Sequence, residues 1–163
     1  MNEALSQPTA PTPMAAMVDR ACYRRLHPYK YRLVADYSLR IDLRPALAID
    51  HPFVTLSEDG LLTLRVHYAW DGPSGPALDT RNFMRGSLVH DALYQMMRLG
   101  LLDHLEYRER ADNILRDLCR EDGMSFLRAG IAFYAVRLFG ERHARPRTEP
   151  TQAPVCVPQG RTG

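Results

Sequence analysis

The sequence predicts an α+β fold: a small antiparallel sheet followed by a three-helix unit whose antiparallel helix pair carries the candidate site. Two observations carry this. Residues 29–68 alternate apolar and polar side chains around an Asp-Gly turn, and residues 80–139 repeat apolar side chains at helical spacing. Size sets the frame, since 163 residues fit about one domain. A composition of 45% hydrophobic and 25% charged residues is that of an ordinary globular protein.

In chain order, residues 1–17 are rich in Pro, Thr and Ala and are expected to be a disordered lead-in. The domain is expected over 18–144, with 145–163 a flexible Pro-, Thr- and Gly-rich tail. Within 29–43, Tyr31, Leu33, Ala35, Tyr37, Leu39 and Ile41 share one face, which predicts a strand with a turn near Ala35-Asp36. Residues 53–56 form a short strand, and Ser57-Glu58-Asp59-Gly60 is the hairpin turn. The return strand, 61–68, sets Leu62, Leu64, Val66 and Tyr68 on one face and Thr63, Arg65 and His67 on the other.

The loop WDGPSGP follows, and Asp79 or Thr80 can cap a helix running to about Leu99 and ending at Gly100. Phe83, Met84, Leu88, Ala92, Met96 and Leu99 recur along it. A second helix is expected over about 107–121, with Ala111, Ile114, Leu115 and Leu118 buried and Gly123 past its end. The third, 125–139, is apolar nearly all round and is expected to be the most buried element.

The net charge of +2, with scattered basic residues, gives no basis for nucleic acid as a partner. No run is long and apolar enough for a transmembrane segment, and no export signal is evident. Cys22, Cys119 and Cys156 are odd in number and lack CxxC spacing, which argues against a disulfide framework or a structural zinc and fits the cytoplasm.

The chemistry concentrates in 68–98. Gly86, His90 and Tyr94 lie four apart on one face of the first helix. A hairpin near 100–105 would bring Asp112, 22 positions after His90, level with it on the antiparallel helix. A carboxylate facing an imidazole fixes its tautomer and stabilises the imidazolium. Tyr94 could donate its hydroxyl to the same carboxylate. Asp91 points about 100° away from His90, and a carboxylate with loop carbonyls is a donor set that calcium accepts.

Two resemblances follow from these residues. The run WDGPSGP…DT…MRGSLVHDALYQ, then RADNILRDL, EDGM and RAGIAFYAVRLFG, resembles a phage-associated family known only as a domain of unknown function, over about residues 29–140. The core is also similar to phospholipase A2: a Gly-rich loop, His-Asp-x-x-Tyr on a helix, then an Asp on the next helix. The short His-to-Asp separation and the lack of disulfides resemble the parvovirus capsid type most. That likeness implies a phage-encoded, calcium-dependent ester hydrolase. His90 would be the general base, Asp112 with Tyr94 would orient it, and Asp91 would ligate calcium with the carbonyls of Trp70, Gly72 and Ser74. A phospholipid or other ester would be the substrate. The host cytoplasm, with virion proteins as further partners, would be the setting. The loop departs from the phospholipase pattern, with Ser74 where a second glycine usually stands, Pro73 lacking an amide donor and Asp71 adding a carboxylate.

Two other readings stay open. One is a metal-dependent phosphohydrolase using His67, His90, Asp91 and Asp112, although that superfamily is all-helical and His67 reads as strand. The other is a non-enzymatic phage morphogenesis or assembly protein whose His-Asp-Tyr-Asp cluster is a structural polar network.

Overall fold

The structure is a computed structural model, and it describes residues 21–25, 31–72 and 81–146. The expected tails apart from Arg145 and Pro146, the caps Asp79 and Thr80, and most of the WDGPSGP loop lie outside the described residues. Strands β1 (Tyr23–Arg25), β2 (Tyr31–Leu33), β3 (Tyr37–Arg40), β4 (Ile49–His51), β5 (Val54–Leu56), β6 (Leu61–Leu64) and β7 (Ala69–Trp70) come first. Helices α1 (Arg81–Arg98), α2 (His104–Glu121), α3 (Phe126–Phe139) and the short α4 (Glu141–Ala144) follow. The α+β order is as the sequence predicts.

The strands make two antiparallel sheets where one was expected, in the orders β1-β2-β7 and β3-β6-β5-β4. The cause is a shared break. Tyr31 faces Trp70 and Tyr37 faces Leu64, so one antiparallel register runs through both sheets. Between them the Asp36 carboxylate accepts from the Val66 amide at 2.7 Å, and His67 adopts a positive φ of 75°. That left-handed turn ends the expected return strand at Leu64 and puts His67 on an exposed bend. At the other end of β6, Gly60 closes the hairpin with a φ of 85°, where Asp-Gly predicted a turn.

Strands β2, β5 and β6 alternate as the apolar pattern requires, whereas β3 also buries Ser38, whose hydroxyl pairs with that of Thr63 at 2.9 Å. Leu33, Tyr37, Leu56, Leu62 and Leu64 are almost fully enclosed. They meet Leu88, Val89, Leu93 and Met97 of α1 in one core. Each of α1 and α2 ends in a Schellman motif. Gly100 donates to Met97 and Leu101 to Met96, and Gly123 donates to Arg120 and Met124 to Cys119. The first motif turns the chain back so that α2 packs on α1. Asp103 caps α2 through the Leu105 amide at 2.8 Å, which starts the helix earlier than the apolar spacing alone suggested.

The expectation for α3 fails. Only Ala129 and Ala132 are buried, and most of its large side chains face solvent. A helix that is apolar all round must still be covered by something, and among the described residues only its alanine edge is. That edge packs on Phe83, Leu115 and Cys119.

Candidate functional site

The site is built at the α1–α2 contact. Gly86 allows that contact, since a Cβ there would lie 2.9 Å from Cys119 Sγ and 3.1 Å from the Leu115 carbonyl oxygen. One and two turns later on the same stripe, His90 and Tyr94 face α2. Both reach one atom, Asp112 Oδ1, with His90 Nε2 at 3.0 Å and the Tyr94 hydroxyl at 2.7 Å. A carboxylate only accepts, so Nε2 carries a hydrogen, and in the neutral imidazole Nδ1 keeps its lone pair. Asp112 has no exposed surface and His90 is 7% exposed. The His90 and Tyr94 rings lie 4.0 Å apart.

A buried carboxylate requires positive charge or hydrogen bonds around it. Asp112 Oδ1 has two donors. Oδ2 has no hydrogen-bond partner among the described residues, and its nearest cation is Arg137 Nη1 at 3.7 Å. Arg108 sits one turn before Asp112 and extends the network. It donates to the Tyr94 hydroxyl at 3.3 Å and to the carbonyls of Val136 and Arg137 near the end of α3. Neither arginine was among the residues expected at the site. Arg108 shares the helical face of Asp112, a usable signal. Arg137 comes from a helix whose placement its pattern did not give.

Protonation follows from these contacts. Burial opposes a charged His90, but the hydrogen bond to Asp112 and then the Asp91 carboxylate outweigh it, so the imidazole lies above its ordinary value of 6.5. Burial and the Asp112 charge raise the Tyr94 hydroxyl, which stays a donor. Burial pushes the Cys119 thiol up to about 12, so it behaves as a small apolar side chain.

The remaining residues named from the sequence are placed as follows. Asp91 is half-buried, with Oδ1 3.9 Å from His90 Nδ1, at the edge of the imidazole that Asp112 does not use. Trp70 pairs with Tyr31 in the ladder and packs on the rings of Tyr23 and Tyr31. Gly72 has a φ of 70°, and a Cβ there would lie 2.5 Å from the Tyr31 ring, which accounts for the glycine. Ser74 lies outside the described residues. Of the calcium ligands that the resemblance implies, the Asp91 carboxylate is the one that the described residues place beside His90. Calcium takes six to eight oxygens, so they do not by themselves compose its site. No three His, Cys, Asp or Glu side chains among the described residues converge as metal ligands. The His67, His90, Asp91 and Asp112 set is therefore not assembled, because His67 lies on the bend after β6.

A cavity of about 840 Å³ opens beside Trp70, lined by Arg81, Met84, Arg85, Leu88 and Arg128 among others; His90 is not in its lining. No helix of the described residues is long and apolar enough to cross a membrane. No family model, curated protein or solved structure matches the chain.

Proposed function

We propose that the protein is a phospholipase A2-like ester hydrolase. The observation supporting this is the division of the imidazole: Nε2 is bound to a buried carboxylate, while Nδ1 faces the half-buried Asp91. A histidine held this way acts as a general base. Nδ1 removes a proton from a water that attacks an ester carbonyl, and Asp112 stabilises the imidazolium that forms. Tyr94 and Arg108 hold Asp112 and its partner helix in place. The returned proton goes to the leaving alkoxide. As the resemblance implies, Asp91 with the carbonyls of Trp70, Gly72 and Ser74 would hold a calcium ion, which would polarise the ester carbonyl.

The test is fatty-acid release from phosphatidylcholine vesicles across a calcium titration, with binding followed by calorimetry. His90→Gln is expected to abolish release while leaving the circular dichroism unchanged; release by that variant sinks the mechanism. Asp91→Asn is expected to weaken calcium binding, and an unchanged affinity rejects the ligand set.

One observation favours a second reading. The network is largely enclosed, with His90 only 7% exposed and Arg108 tying Tyr94 to the last turn of α3. On this reading the cluster locks three helices of a non-enzymatic phage morphogenesis or assembly protein. Absence of both calcium binding and ester release at every condition selects it.

A further inference from the structure

Helix α3 reads FLRAGIAFYAVRLF. Ala129 and Ala132 face the body of the protein, with Val136 packed beside them. On the opposite side stand Leu127, Ile131, Tyr134 and Leu138, at 72%, 58%, 65% and 73% exposure. Their spacing of four, three and four is that of a helix–helix seam, in which side chains of one helix insert between those of another. Phe126 and Phe139 extend the exposed surface at both ends. Proteins that stay monomeric rarely leave so large a contiguous apolar patch in water.

The helix's own sequence indicates what covers the patch. From its two ends inward it repeats: Phe126 matches Phe139, Leu127 matches Leu138, and Arg128 matches Arg137. Small residues then match small ones, Gly130 with Ala135, and Ile131 matches Tyr134 at the centre. In an antiparallel two-fold pair, each residue meets the one equally far from the other end. A two-fold interface must be complementary to itself, and this near-palindrome provides that. A Cβ on Gly130 would meet nothing within 4 Å among the described residues beyond its own helix backbone, which leaves room beside it for a neighbour's side chain. The arginines do not oppose the contact. Arg137 is drawn back to Glu109 at 3.1 Å, and Arg128 lines the cavity beside Trp70. The six large apolar side chains are each more than half exposed, so the seam and its two flanking phenylalanines are free to be covered.

We propose that the protein forms a two-fold dimer through α3, its two copies antiparallel, with Leu127 of one against Leu138 of the other and Ile131 against Tyr134. A lipid surface is the less fitting occupant. Interfacial helices set a strongly polar face against an apolar one, whereas α3 carries two arginines, no acidic residue and an apolar seam in helix-pairing order.

The experiment is the solution mass of the full chain by size exclusion with light scattering over a dilution series. The expected mass is twice 18.6 kDa at high concentration, falling on dilution, with Ile131→Glu shifted to 18.6 kDa. A wild-type mass of 18.6 kDa at all concentrations, or a mass beyond two chains, overturns the proposal. Cysteine pairing fixes the orientation in a Cys22→Ser, Cys156→Ser background, under copper–phenanthroline oxidation. A mixture of Leu127→Cys and Leu138→Cys proteins is expected to cross-link, and neither alone, because like positions then lie about 16 Å apart along the axis. Cross-linking of Leu127→Cys with itself, or no cross-linking in the mixture, overturns the antiparallel pair. So does a monomer that sediments with phosphatidylcholine vesicles and loses this with Ile131→Glu; lipid would then be the occupant.

Discussion

The α1–α2 contact and the outer face of α3 invert the usual distribution of side chains. The first encloses a carboxylate, an imidazole and a phenol; the second leaves leucine, isoleucine and tyrosine in water. The contrast teaches that burial is decided by partners and not by polarity alone. Asp112 can be enclosed because two donors converge on it. Leu127 and Leu138 stay exposed because nothing in the described chain lies against them.

The largest test of this contrast is to remove the partner that makes enclosure tolerable. Asp112→Ala is expected to cost about 3–5 kcal/mol in urea unfolding, since it leaves His90 and Tyr94 buried without their shared acceptor. Asp112→Asn keeps an acceptor for both and is expected to cost about 1–3 kcal/mol. Equal losses for the two would mean that the charge of the carboxylate, which both variants lack, sets the stability there and that the retained acceptor does not.

A second test uses pH. The folded protein raises the His90 pKa above 6.5, so it binds that proton more tightly than the unfolded chain does. This contribution is complete below the unfolded value and is lost as pH rises through the folded one. Stability is expected to decline across that window in the wild type and not in His90→Gln. Ester hydrolysis, which needs the neutral imidazole, is expected to rise across the same window. A slope that persists in His90→Gln would assign it to another group.

At the exposed end the expected effect is the smallest. Leu127→Ser changes a side chain that touches little of its own chain. Its unfolding free energy at concentrations where the chain is monomeric is expected to move by less than about 0.5 kcal/mol. A loss of several times that would mean Leu127 packs within its own chain.

The two regions also differ in how far their sequences could be read. The Gly100 turn and the 22-residue separation brought Asp112 opposite His90, and Tyr94 followed from helical spacing, because short connections leave few ways to pair two helices. Strands β1, β4 and β7 were not found: two or three residues carry no period. The bend at His67 was hidden because a positive φ there follows from Asp36 meeting the Val66 amide, a contact between distant residues. For α3 the apolar pattern was read correctly but assigned to the wrong cover. Periodicity records which side chains favour burial and is silent on whether the covering surface belongs to the same chain.

Gly86 acts as a spacer of zero length. It lets two helix backbones come close enough that side chains of ordinary reach meet one and two turns later. A methyl group there would have to displace Leu115 or Cys119, and the displacement would be passed along α1 as a rigid lever with its free end at His90. A shift of about half an ångström at that end would stretch the 3.0 Å contact of His90 with Asp112 to the edge of hydrogen-bond range. The alignment of the imidazole with its carboxylate is thus set mechanically, by an atom that is missing four residues away.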